Sequence, residues 1–71
     1  MRARSELTAR EREIVILIAS GLSSRKIAQR LGIAFKTVET HRYNAMKKLK
    51  VDNVIGLLHA AIGMGLIKRF E

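Results

Sequence analysis

The stretch Phe35-Lys36-Thr37-Val38-Glu39-Thr40-His41-Arg42-Tyr43-Asn44-Ala45-Met46-Lys47-Lys48-Leu49-Lys50 decides how this chain is read. At about 100° per residue it forms a helix with two unlike sides. Phe35, Val38, Ala45, Met46 and Leu49 gather on one side as a core stripe. Lys36, Glu39, Thr40, Tyr43, Asn44, Lys47 and Lys50 gather on the other. Cations, hydroxyls and an amide on one face can meet phosphates and exchange hydrogen bonds with base edges. Taken alone, the stretch reads equally well as an ordinary solvated helix.

The residues just before it tip the balance. Ser23 suits the N-cap of a short helix over 24–31. In that helix Ile27, Ala28 and Leu31 face inward, leaving Arg25, Lys26, Gln29 and Arg30 outward. Gly32 suits a break with positive φ, and Ile33 plugs the turn. A short helix, a turn holding Gly and an apolar residue, and a longer basic helix in succession form the pattern of a helix-turn-helix.

Two flanking helices complete the expected fold. Thr8-Ala9-Arg10-Glu11 has the form of a capping box opening a helix over 9–20. Ile14, Leu17 and Ile18 make its stripe, Val15 lies on the flank, and Gly21 stops it. Leu7 and Arg12 form no evident staple across that cap. Asn53 is the expected cap of a last helix over 54–64. Its inward stripe is Val54, Leu57, Leu58, Ala61 and Ile62, with Gly56, His59, Ala60 and Gly63 opposite. Leu66 and Ile67 are expected to fold back on the core. The expectation is therefore an all-α, four-helix, bundle-like domain, with residues 1–6 as a mobile lead-in and 68–71 as a tail.

Composition narrows the function classes. Seventy-one residues make a single domain, expected over 1–71. A chain this short buries only roughly 60% of its unfolded surface. It has no Cys, and His41 and His59 have no ligand at metal spacing, so no metal or cofactor is expected. The net charge is +8, which suits a polyanionic partner. Residues 24–50 hold eight Lys and Arg against Glu39 alone, so nearly all of that charge coincides with the helix-turn-helix. No signal peptide is visible, and the charge-free run 53–67 is too short to span a bilayer. The reading is a cytoplasmic protein, either complete or cut from a longer one.

Several of these segments together carry a family resemblance. Leu7-Thr8-Ala9-Arg10-Glu11-Arg12-Glu13, Gly21-Leu22-Ser23, Ile27-Ala28-Gln29-Arg30-Leu31-Gly32-Ile33, Lys36-Thr37-Val38-Glu39-Thr40-His41 and Met46-Lys47-Lys48-Leu49 resemble the LuxR-type (NarL/FixJ, GerE-like) helix-turn-helix. The resemblance implies a sequence-specific, double-stranded DNA-binding regulator of transcription. Such a domain is most often the output domain of a two-component response regulator, and some stand alone. The third helix would enter the major groove and the fourth would pair two copies, mainly on DNA. A contact with RNA polymerase is a further partner the resemblance admits; it implies no membrane and no small-molecule ligand.

By matching position, Glu39, Thr40 and Tyr43 would face bases. Lys36, Thr37, His41 and Lys47 would lie near the DNA backbone, and the outward placement of Asn44, Lys50, Arg25 and Lys26 adds these four to the backbone set. On the fourth helix the outer face of Gly56, His59, Ala60 and Gly63 carries no full charge and has small residues four apart, which makes it the expected dimer contact. Helical geometry independently puts Lys36, Glu39, Thr40, Tyr43 and Lys47 outward, whereas Thr37 and His41 rest more on the resemblance. Three residues depart from the family pattern. Ala34 stands where Ser often caps the recognition helix, which costs about 1 kcal/mol. Arg42 stands where many members are apolar, and Gly56 where Glu often follows the cap of the fourth helix.

Several residues keep two readings. Glu39 is either an i,i+3 partner of Arg42 or an acceptor for a cytosine amino group. Tyr43 either meets the DNA backbone or packs on the second helix. His41 is a phosphate donor or a packing residue. The outer face of the fourth helix is a dimer contact or an unusually apolar surface. Among functions, a protein-interaction domain that lost DNA binding would lack the outward cations found here. An enzyme would need paired carboxylates, an activated nucleophile, a phosphate loop or a metal cluster, and none is visible. A membrane-surface peptide would need one long amphipathic helix, which Gly21, Gly32 and the 50–53 break preclude.

Overall fold

The computed structural model describes residues 6–68. The lead-in and tail expected from the sequence lie outside the described residues, apart from Glu6 and Lys68. The described residues form four helices and no strand: α1 (Ala9–Ala19), α2 (Ser24–Leu31), α3 (Phe35–Leu49) and α4 (Val54–Gly63). Each boundary agrees with the sequence reading to within one residue.

The caps explain those boundaries. At α1 the Thr8 hydroxyl accepts from the Glu11 amide at 3.0 Å, and the Glu11 carboxylate accepts from the Thr8 amide at 2.9 Å. Both arms of the capping box are thus made. Gly21, at φ +99, lets the Leu22 amide turn back to the Leu17 carbonyl. The Ser23 hydroxyl caps α2 by accepting from the Lys26 amide, and Gly32 closes it in the left-handed region. Asn53 caps α4 by accepting from the Gly56 amide at 2.8 Å. Ala34 gives α3 no side-chain cap.

The C-terminal ends of α1, α3 and α4 each fall one residue short of expectation. α3 ends at Leu49, and Lys50 adopts φ +59, a non-glycine residue in the left-handed region. Its conformation lets the Val51 amide reach the Met46 carbonyl at 3.0 Å and turns Val51 toward the core. That geometry costs roughly 1–2 kcal/mol at a residue with a Cβ.

The core is Leu7, Ile14, Val15, Ile18, Ile27, Ala28, Val38, Ala45, Leu57 and Ala61. α1 lies across the middle of it, packing on α2, α3 and α4, while α2 packs on α3. Leu66 and Ile67 fold onto its edge, in line with the sequence reading. Three expectations are corrected. Val15, expected on the flank, is fully buried, because α1 is covered by three helices and its apolar sector is wide. Phe35, expected in the core stripe, is 44% exposed, since it opens α3 three residues ahead of Val38, the first fully buried residue of that helix. Val54, expected inward, is 46% exposed for the same reason at the start of α4.

The packing also makes a tie that no local pattern indicates. The Lys48 ammonium, on α3, donates to the Glu11 carboxylate, on α1, at 2.7 Å. Glu11 is almost wholly buried. Burial pushes its carboxyl pKa up. The Lys48 hydrogen bond, the Thr8 amide and the Lys48 charge outweigh that, and hold it below its ordinary value of 4.5.

Candidate nucleic-acid interface

The interface builds from two caps and one turn. Ser23 and Gly32 define α2 and point Arg25 and Lys26 into solvent. The turn after Gly32 then starts α3 against α2. The Arg25 guanidinium lies over the Phe35 ring, 5.0 Å from its centroid, joining the first turns of the two helices. Exposed Phe35 thereby serves as a platform that holds an α2 cation beside the start of α3.

Along α3, Lys36, Thr37, Thr40, Tyr43 and Lys47 are exposed, as is Lys50 at its end. Glu39, His41 and Asn44 are half-buried along the flanks. Tyr43 is 63% exposed, which removes the alternative of a ring packed on α2. The Lys47 ammonium lies 5.7 Å from the centroid of that ring. The Thr40 hydroxyl donates to the Lys36 carbonyl at 3.1 Å, so its lone pairs face outward as acceptors. The face therefore offers cationic and phenolic donors beside hydroxyl and carboxylate acceptors.

Two members of the basic stretch behave differently from their neighbours. Lys48, counted with the cations of residues 24–50, is taken up by Glu11 and stands half-buried. Arg42 is half-buried as well. It donates to the Ser24 hydroxyl at 3.2 Å, and the Glu39 carboxylate lies 4.0 Å from the same guanidinium nitrogen. The i,i+3 approach of Glu39 and Arg42 is thus present, at the outer limit of an ion pair. Pairing of Arg42 with Ser24 depends on how α2 packs on α3 and leaves no local signal in the sequence.

On α4, His59 and Gly63 are exposed, and a Cβ at Gly63 would meet open space. Gly56 and Ala60 are half-buried. A Cβ at Gly56 would lie 3.2 Å from the Val51 Cβ, so Gly56 faces its own chain rather than the outer surface expected for it. Ile55, which the sequence reading assigned to neither face, is 69% exposed one turn before His59. A helical wheel sets Ile55 on the flank, beside inward-facing Ile62, so its exposure comes from the packing and not from the period. Among the described residues there is no group of three or more His, Cys, Asp or Glu that can hold a metal ion. No helix among them is long and apolar enough to cross a membrane.

Four helices, with the second and third joined by a left-handed glycine and the third presenting a cationic polar face, define the class: a helix-turn-helix domain. The family described as bacterial regulatory proteins, luxR family, matches residues 5–61, and the chain belongs to it. Members are DNA-binding regulators of transcription and not enzymes. The chain is 50% identical over 62 residues to the response regulatory protein YgeK of Escherichia coli (strain K12), covering 87% of this chain and 42% of that protein. It is 44% identical over 63 residues to the transcriptional regulatory protein MctR of Rhizobium johnstonii, covering 89% of this chain and 29% of that one. The solved response regulator ChrA of a heme-sensing two-component system superposes with a TM-score of 0.83 at 41% identity, over 93% of this chain and 33% of that chain. The chain thus spans less than half the length of these relatives.

Proposed function

We propose that this chain binds double-stranded DNA sequence-specifically, with α3 in the major groove, as the output domain of a two-component response regulator or as a stand-alone regulator. The observation that carries this is the exposed row Lys36, Thr37, Thr40, Tyr43 and Lys47 along one face of α3. Glu39, Thr40 and Tyr43 read base edges. Lys36, Thr37, His41, Asn44, Lys47 and Lys50, with Arg25 and Lys26, position the duplex through its phosphates. Such work belongs in the cytoplasm, with the chromosome. Selection of bound duplexes from a random pool tests the reading. A defined motif is expected, with an affinity that falls steeply as salt rises. An unselective pool, or an affinity nearly flat in salt, refutes it.

A second element of the proposal is a two-fold dimer through α4, formed on DNA. Ile55 and His59 stand exposed one turn apart, Gly63 leaves open space, and no Lys, Arg, Asp or Glu occurs between Val54 and Gly63. An uncharged helix whose outer face carries a large apolar side chain gains by covering that face. Two copies so paired would set their recognition helices about one helical turn, ~34 Å, apart. Operators are then paired half-sites, which the same selection reads as a symmetric motif.

A further inference from the structure

We infer that Arg42 is a specificity-determining positioning residue, which sets the pose of the Glu39 carboxylate and thereby the base that Glu39 accepts. The inference rests on the proposal that Glu39 reads a base. Arg42 touches the two parts whose relation matters. It donates to the hydroxyl of Ser24, the first residue of α2, and lies beside the Glu39 carboxylate, the one acidic group on α3. Ser24 is buried and so is a fixed point, whereas Glu39 is 43% exposed in its side chain and otherwise free to turn.

The electrostatics explain why the Glu39 carboxylate stays beside a guanidinium that is hydrogen-bonded to Ser24. A cation at the first turn of a helix opposes the positive end of its dipole, and α2 has no acidic residue in that turn to offset it. The Glu39 carboxylate is the compensating charge within reach. A pair this exposed adds little stability, so the effect of Arg42 is geometric. A planar guanidinium fixed on one side by Ser24 offers Glu39 a defined direction. A carboxylate held in place keeps one oxygen for a cytosine amino group, and its charge is partly offset against the phosphates. Released, it samples several rotamers and discriminates less.

The test is selection of bound duplexes from a random pool by this chain and by Glu39→Gln, Arg42→Met, the double variant and Ser24→Ala, each shown folded by circular dichroism. Glu39→Gln is expected to relax preference at one base pair by about five- to hundredfold. Arg42→Met should relax the same base pair several-fold and leave the others unchanged, and the double variant should resemble Glu39→Gln alone. Ser24→Ala keeps the guanidinium but removes its anchor. It should loosen the same base pair to a smaller degree, and it decides the matter if Arg42→Met does not fold. If Glu39→Gln alters no position, the base-reading proposal fails and this inference falls with it. If Glu39→Gln alters a position that Arg42→Met and Ser24→Ala leave untouched, the inference alone is overturned. It is equally overturned if Arg42→Met weakens all sequences alike, the mark of a phosphate contact, or erases preference at a different guanine, the mark of direct reading.

Discussion

Replacing Lys48 with Met isolates the tie between α1 and α3. Methionine keeps the length and helix propensity of lysine and removes the charge. Glu11 is nearly sealed from water, with a side chain only 5% exposed, and it is left holding a carboxylate whose remaining partner is the Thr8 amide. Losing a hydrogen bond to a charged group costs about 1.5–3 kcal/mol. The lower half of that range applies, because Lys48 itself is partly solvated and the Thr8 amide remains. A loss of about 2 kcal/mol is large in a domain whose total stability is on the order of 5 kcal/mol. It corresponds to a fall of roughly 10 °C in melting temperature. The pH dependence supplies the sharper test. In the parent chain the Glu11 pKa lies below 4.5, so its ionised form favours the fold. That contribution is complete above 4.5 and disappears as pH falls through the folded value. In Lys48→Met burial acts without the ammonium to oppose it, and protonation relieves the variant instead. Unfolding in urea followed by circular dichroism should therefore show a gap of about 2 kcal/mol at about pH 7 that narrows at about pH 3.5. A gap under about 0.5 kcal/mol at neutral pH, or one that does not change with pH, refutes this account of the pair.

Three further outcomes are expected. Ala34→Ser supplies the hydroxyl that α3 lacks at its start and should raise stability by about 1 kcal/mol in urea unfolding; no gain means the α3 terminus is already satisfied in solution. Lys47→Ala, at an exposed cation, should weaken binding to all duplexes alike and lower the log–log salt slope by about one, so a change in the selected motif counts against a phosphate contact. Ile55→Glu leaves the core untouched, since the side chain is already exposed, and should abolish cooperative binding to paired half-sites in gel-shift titrations while circular dichroism stays constant; undiminished cooperativity removes α4 as the dimer surface.

Local signals make the fold legible in the sequence. Thr8 with Glu11, Ser23 and Asn53 are caps whose partners lie three residues away, and Gly21 and Gly32 are turns set by their own φ. Such features act within a few residues, so the sequence alone locates four helices almost to the residue. The exposure of Lys36, Thr40, Tyr43 and Lys47 follows from helical period in the same way. What period alone does not reveal is where along each helix burial begins. Phe35 and Val54 sit on apolar stripes yet stand exposed, because they open helices whose burial in the core begins three residues later, at Val38 and Leu57. Gly56 sits on an outward stripe yet faces Val51, because the loop after Lys50 folds back over α4. The choice among charged partners is also tertiary. Glu11 takes Lys48 across 37 positions of chain, and Arg42 takes Ser24 across 18. A side-chain charge or donor can pair with any group the packing brings within about 3 Å, and chain distance carries no information about that. The sequence by itself therefore determined the helices and the polar face of α3, where the governing interactions are local. Only the tertiary structure decided which of those polar groups remain free to meet a ligand and which are held by the protein.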